Sequence, residues 1–162
     1  MDKLKISATV CSFVSLVLLI ISLVTDHWVV GSIFHLGLWK VCPNNYACRS
    51  IGTQVSGFIH STRAFLLVGV LAGAASLFGF CVSFYQRQIG PISAAVLAVR
   101  ASLTAGISTP IAMSTFTYVY SSYGLAPGES FGWSFGTGWA SSVLFLITGG
   151  LAYKIVSDTT QE

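Results

Sequence analysis

Four long apolar segments constrain this chain more than any other feature of its sequence. A helix needs about 20 residues to cross hydrocarbon about 30 Å thick. The segments 6–25 and 64–85 contain no charged residue, whereas 92–120 contains only Arg100 and 133–156 only Lys154. Backbone groups in lipid must be satisfied within the segment itself, so the sequence predicts four transmembrane helices.

The composition agrees with a membrane protein. Hydrophobic residues make up 54% of the 162 residues and charged residues only 8%, against about a quarter in a soluble domain. We therefore expect residues 1–162 to form a single membrane domain. Its expected parts are helices at 6–25, 64–85, 92–120 and 133–156, an outer β loop at 26–63, a second outer loop at 121–132, and a tail at 157–162.

The first apolar segment has one alternative interpretation. Lys3 and Lys5 give it the positive start of a cleaved signal peptide. A 20-residue uncharged core is long for that role, and cleavage would leave an odd number of spans.

The positive charges predict the orientation of the chain. Four of them fall on one side of the predicted spans (Lys3, Lys5, Arg87 and Lys154), and three fall on the other (Lys40, Arg49 and Arg63). The positive-inside rule then predicts that both termini lie in the cytoplasm. We expect a multi-pass protein of the plasma membrane. The basic residues are spread singly, so the sequence gives no sign of nucleic-acid binding.

The first outer loop reads as a small sheet. Strand-forming residues occupy 27–34, 37–42 and 46–51, and turn residues lie between the last two segments. Cys42 and Cys48 flank that turn on the oxidising side of the membrane, which favours a disulfide that closes the hairpin. The alternative is a pair of free or metal-bound thiols with His35 or His60, although the spacing matches no common zinc site.

The order of residues in this loop resembles a known signature. Trp28, the triplet Gly37-Leu38-Trp39, and Cys42 with Cys48 are similar to the W…GLW…C…C pattern of the claudin, peripheral myelin protein and epithelial membrane protein superfamily. The segments Thr25–Trp28, Ser61–Phe65 and Phe131–Phe135 resemble its lens fibre branch. Gly57–His60 and Gly90-Pro91 resemble the natural killer granule relative on the same branch. The resemblance implies an all-α transmembrane four-helix bundle with a small extracellular antiparallel β-sheet.

The resemblance also implies a function. We expect a structural membrane protein whose extracellular sheet contacts neighbouring molecules, through self-association or another membrane protein, in cell junctions, adhesion or membrane organisation. The alternative is an accessory subunit or trafficking regulator of a channel or vesicle protein. The C-terminus, Thr159-Thr160-Gln161-Glu162, lacks the hydrophobic end that PDZ scaffolds capture, so we expect no such partner.

Charged residues beside the spans have predicted roles. The resemblance implies that Arg63 ties the sheet to the bundle beside Trp28, and Asp26 is its expected ionic partner. A snorkelling interfacial cation is the alternative for Arg63. Arg100 is expected at the inner interface, where it reaches lipid phosphates; the alternative is a buried functional charge. Pro110 is expected to kink the third helix.

The sequence offers no constellation for catalysis. His27, His35 and His60 are scattered in the outer loop, and Asp26 and Glu129 lie in different loops. No phosphate-binding loop or dinucleotide fingerprint is present. We therefore expect no enzyme activity, no cofactor and no metal, and membrane lipid as the surrounding partner.

Overall fold

Four long helices dominate the computed structural model, which describes residues 2–52, 55–85, 88–89, 92–123 and 128–160. Each helix is long and apolar enough to cross a membrane. Their bounds are α1 (Asp2–Val24), α2 (Gly57–Tyr85), α3 (Ala94–Tyr123) and α4 (Trp133–Thr160). The predicted four-helix membrane bundle is therefore confirmed.

The helices pack in a closed ring. Both α1 and α3 pack against α2 and α4. The centre holds fully buried apolar side chains, among them Leu19, Leu66, Met113, Phe116 and Phe145. The outside of the bundle is also apolar, as shown by exposed Val10, Phe13, Leu71, Ile107 and Val143. A surface this apolar is unfavourable in water but suits lipid.

A five-stranded antiparallel sheet covers one end of the bundle, with strand order β4-β3-β2-β1-β7. Its strands are β1 (Val29–Val30), β2 (Phe34–Leu36), β3 (Lys40–Pro43), β4 (Arg49–Ser50) and β7 (Ser130–Phe131). The first four lie between α1 and α2, whereas β7 lies between α3 and α4. Both connections therefore lie at the same end of the bundle.

The opposite end carries a short hairpin. It consists of β5 (Gln88–Ile89) and β6 (Ile92–Ser93), which connect α2 to α3. The N-terminal end of α1 and the C-terminal end of α4 lie at this same end. Gln161 and Glu162, on which the PDZ prediction depends, lie outside the described residues.

The expected long strands are wrong in detail. Segment 27–34 is divided, because the Gly31 amide donates to the Phe34 carbonyl at 2.8 Å and turns the chain between β1 and β2. The triplet 37–39 is a turn, closed by the Gly37 amide and the Lys40 carbonyl at 2.9 Å. Local strand preference is overridden wherever a tight turn shortens the ladder.

The helices also extend beyond the apolar segments. α2 begins at Gly57, whereas the outer loop was expected to continue to residue 63. The Ser56 carbonyl accepts the Ile59 amide at 3.0 Å and opens this first turn. The helical hydrogen-bond ladder continues past the hydrocarbon boundary, and hydropathy marks only that boundary. Arg63 is consequently a helical residue rather than a loop residue.

Arg100 and Pro110 both lie on α3. The Arg100 side chain is exposed near the N-terminal end of the helix, at the end of the bundle opposite the sheet. Pro110 lies inside α3, which continues on both sides of it to Tyr123. Proline has no amide hydrogen, so the usual helical partner of the Gly106 carbonyl is missing. The interfacial depth of Arg100 and the kink at Pro110 stay predictions.

Candidate functional site

The outer sheet meets the bundle at the C-terminal end of α1. The last carbonyls of a helix have no partner within the helix, and an unpaired carbonyl that is buried away from water is costly. The Trp28 indole nitrogen donates to the Ser22 carbonyl at 2.7 Å, and that of Trp39 donates to the Leu23 carbonyl at 2.9 Å. The two tryptophans of the signature therefore cap α1.

Trp28 also fills the part of the core that lies next to the sheet. It is fully buried, and its ring meets Phe116 edge-on with centroids 4.7 Å apart and Phe135 at 5.8 Å. Phe116 belongs to α3 and Phe135 to α4. One side chain from the sheet thus contacts three helices, which fixes the position of β1 relative to the bundle.

The Gly37-Leu38-Trp39 turn packs directly under the sheet. Leu38 is buried, and the Gly37 backbone lies against the end of α1. A Cβ atom at residue 37 would lie 2.5 Å from the Asp26 Cα and 2.8 Å from the Thr25 carbonyl oxygen. Only glycine allows this approach, because both opposing atoms are backbone and cannot rotate away.

Gly37→Ala is therefore expected to lower the free energy of unfolding by about 1–3 kcal/mol, the usual cost of overpacking. The matched control is Gly52→Ala, since a Cβ there has no heavy atom within 4 Å. Unfolding of both variants in detergent, followed by tryptophan fluorescence, measures the difference. Equal stability of the two variants would contradict the close approach.

Arg63 joins α2 to two parts of the outer loop between α1 and α2. Its guanidinium donates to the Leu38 carbonyl through Nε at 3.0 Å and Nη2 at 2.6 Å. It also donates to the carbonyls of Ile51 at 3.2 Å and Gly52 at 3.4 Å. Its Cζ lies 4.5 Å from the centroid of the Trp39 ring. The planar fork therefore holds the turn and the end of the β4 segment against α2.

The expected pairing of Arg63 with Asp26 and Trp28 is wrong. The guanidinium stacks on Trp39, because the turn between β2 and β3 brings that ring over α2. Asp26 instead accepts a hydrogen bond from His27 Nδ1 at 3.0 Å and lies 3.7 Å from His35 Nε2. Sequence distance alone did not reveal which tryptophan the arginine reaches.

Asp26 and the two histidines form a compact cluster. The His27 and His35 rings are stacked with centroids 4.4 Å apart, and His27 lies 5.5 Å from the Trp133 ring. This cluster was not predicted, because His35 is brought next to His27 only by the pairing of β1 with β2.

The disulfide joins Cys42 of β3 to Cys48 just before β4, with an S–S distance of 2.04 Å. The turn that it closes is held by the Tyr46 amide, which donates to the Pro43 carbonyl at 3.2 Å. Closing so short a loop stabilises the fold by about 2–2.5 kcal/mol in the chain-entropy model. That amount is significant for a sheet of two- to four-residue strands.

Two apolar side chains project from the sheet, and the sequence reasoning missed both. Ile33, in the turn between β1 and β2, is 72% exposed, and Tyr46, in the turn before β4, is 80% exposed. Asn44 holds the two turns together: its amide donates to the Ile33 carbonyl and its side chain to the Ser32 carbonyl, both at 2.9 Å. Both residues had been assigned to predicted strands, so their exposure became visible only when the structure placed them in turns.

Comparison with known proteins agrees with this architecture. The family model described as PMP-22/EMP/MP20/Claudin family matches residues 3–152. The chain is 32% identical to mouse Protein NKG7 over 139 residues, which cover 82% of this chain and 79% of that protein.

Two further relatives show the breadth of the match. Human Lens fiber membrane intrinsic protein is 28% identical over 150 residues, covering 86% of this chain and 83% of that protein. Bovine Epithelial membrane protein 2 is 24% identical over 150 residues, covering 88% and 89%. With the capping tryptophans, the disulfide and the four-helix bundle in place, the chain belongs to the PMP-22/EMP/MP20/Claudin family.

Proposed function

We propose that this protein is a structural, non-enzymatic component of the plasma membrane whose outer sheet contacts neighbouring molecules. The observation that supports this most is the exposure of Ile33 and Tyr46, the two apolar side chains in the turns of the sheet, which we call the two tips. They project from a sheet that is closed by a disulfide and tied to the bundle by Arg63. A rigid surface with two apolar anchors suits self-association or binding to another membrane protein, in junctions, adhesion or membrane organisation.

The proposed orientation has the sheet outside the cell and both termini in the cytoplasm. Lys3 and Lys5 on α1 and Lys154 on α4 lie at the end of the bundle opposite the sheet, which agrees with the positive-inside rule. The disulfide supports the same orientation, because disulfides form and persist in oxidising compartments.

Clustering of proteoliposomes tests the contact role. We expect vesicles that carry the wild-type protein to cluster, and a double variant, Ile33→Asp with Tyr46→Ser, to cluster at least about tenfold more weakly. The reason is that burial of each large apolar side chain contributes about 1.5–3 kcal/mol. Turbidity and dynamic light scattering measure the rate and the size of the clusters.

The matched control is Tyr85→Ser, which removes an equally large side chain, 92% exposed, from the end of the bundle opposite the sheet. Clustering should be retained in this control. Loss of clustering in Tyr85→Ser, or full clustering of the double variant, would contradict a role for the two tips.

The accessory-subunit alternative rests on a different surface. A groove on the outside of the bundle between α3 and α4 is lined by Gly106, Ile107, Pro110, Ile111 and Leu146, with Ser114 and Thr115. A transmembrane helix of another protein would fit a groove on the outside of the bundle whose lining includes a small residue. Wild-type vesicles that fail to cluster, together with a monomer that co-purifies with a membrane protein, would favour this alternative.

A further inference from the structure

The disulfide is part of a larger group of four side chains that are all able to bind a metal ion. The sulfurs of Cys42 and Cys48, the Asp26 carboxylate and the His35 imidazole each offer a ligand atom, and these atoms all lie within 4.8 Å of one another. We infer that, when the disulfide is reduced, these four side chains bind one divalent ion of the zinc class. This inference is independent of the proposed function.

The donor set suits a tetrahedral site, and its four ligand atoms already lie close together. Zinc binds thiolate, imidazole and carboxylate ligands at about 2.0–2.3 Å, so that neighbouring ligand atoms are about 3.3–3.8 Å apart. Asp26 Oδ2 lies 3.1 Å from Cys42 Sγ and 3.7 Å from His35 Nε2. The two bonded sulfurs must separate, Asp26 Oδ2 and Cys42 Sγ must move slightly apart, and the ligand atoms that are farthest apart, at up to 4.8 Å, must come closer. Cys42 is buried in β3, whereas Cys48 is exposed in the coil before β4 and is the one free to shift.

Neighbouring residues already orient two of the ligands. His27 Nδ1 lies 3.0 Å from Asp26 Oδ1, which leaves Oδ2 directed towards the sulfur. The His27 ring also stacks on His35 and fixes the plane of that imidazole. Such outer partners hold metal ligands in place in established sites.

Electrostatics favour a cation in the reduced cluster. Deprotonation of both thiols beside the Asp26 carboxylate would place three negative charges together. The nearby Arg63 guanidinium does not neutralise them, since its contacts are with Leu38, Ile51, Gly52 and Trp39. A divalent ion offsets two of the three charges, and neutral His35 completes the site without adding another.

The conversion of the disulfide form into the metal-bound form balances in atoms and electrons. Two thiol molecules donate two electrons, the Cys42–Cys48 bond breaks, and two protein thiols and one small-molecule disulfide form. Metal binding then releases the two thiol protons, because thiolates are the ligands. Oxidation reverses these steps and expels the ion. The metal would therefore keep the hairpin between β3 and β4 closed in the reduced chain and hold the correct two sulfurs together for oxidation.

Cobalt spectroscopy of the full-length protein in detergent micelles tests the site. After anaerobic reduction with a phosphine, Co²⁺ should give the visible d–d bands of tetrahedral cobalt and a near-ultraviolet thiolate charge-transfer band, both abolished by excess Zn²⁺. The oxidised protein should give neither band. Reduced wild-type protein without these bands would overturn the proposal.

Two variants identify the nitrogen ligand. His35→Ala should weaken Co²⁺ binding by more than about tenfold, because even the loss of an outer partner costs about 10- to 100-fold in affinity. His60→Ala, outside the cluster, is the matched control and should bind as the wild type does. Unchanged affinity in His35→Ala would exclude that ligand and overturn the four-ligand site.

A third measurement needs no variant, in case His35→Ala fails to fold. The ¹¹³Cd chemical shift of the reduced wild-type protein reports how many sulfurs bind the ion. A shift typical of two sulfurs with one nitrogen and one oxygen supports the proposal. A shift typical of oxygen and nitrogen ligands alone overturns it, and neither result affects the vesicle-clustering prediction.

Discussion

Arg63→Lys is expected to lower the free energy of unfolding by about 2–3 kcal/mol. Hydrogen bonds that involve a charged group contribute about 1.5–3 kcal/mol each, and the guanidinium makes four of them to three carbonyls. A lysine ammonium has no planar fork, so it cannot bind the turn and the β4 segment together while it stacks on a ring. Arg63 is only 6% exposed, so water cannot replace these bonds at little cost.

Denaturant unfolding in micelles measures this loss. Arg49→Lys on β4 is the matched control, since Arg49 is exposed and should change stability by less than about 0.5 kcal/mol. A double-mutant cycle with Trp39→Ala should give a coupling free energy of about 0.5–2 kcal/mol, the range for a cation over an indole. Additive losses would show that the stacking observed at 4.5 Å has no energetic consequence.

Among substitutions in the outer loop between α1 and α2, we expect Trp28→Ala to be the most destabilising. It should lower the free energy of unfolding by about 3–5 kcal/mol. It removes a fully buried indole from the contacts with Phe116 and Phe135 and leaves a cavity. It also leaves the Ser22 carbonyl at the end of α1 without its partner. Trp28→Phe keeps most of the volume and should cost about 1–2 kcal/mol for the lost hydrogen bond, plus a smaller packing loss.

Trp133→Ala is the control for side-chain size, because that indole is 53% exposed at the start of α4. The same unfolding measurement, with reactivity of the Cys42–Cys48 disulfide towards reductant as a second readout, separates the variants. A Trp28→Ala protein as stable as Trp133→Ala would mean that the sheet does not depend on its contact with the bundle.

The helices were predictable because their requirements are local. A backbone segment in lipid must satisfy its own amides and carbonyls, and an apolar stretch of about 20 residues can do so only as a helix. The same reasoning fails at helix ends, where α2 begins at Gly57 because its hydrogen bonds continue beyond the apolar segment. Hydropathy therefore located each helix and misplaced its boundary.

The outer disulfide could also be predicted from the sequence. Cys42 and Cys48 are the two cysteines outside the apolar segments, and turn residues between them bring the sulfurs together. Family resemblance singled out Trp28, Trp39 and Arg63, but it did not say which atoms meet. Those partners depend on the turn at Gly37, which places residues distant in sequence against the end of α1.

The fifth strand shows most clearly what only the tertiary structure decided. Ser130 and Phe131 carry no local signal for a strand, yet they pair with Val30 and Val29 at the end of the bundle that carries the sheet. The stacking of His27 on His35 and the nearness of Asp26 to the disulfide also depend on strand pairing, here of β1 with β2 and of β2 with β3. Helical hydrogen bonds join residues four apart and can be read from the sequence, whereas β7 meets β1 only when the helices pack and bring the two outer connections together.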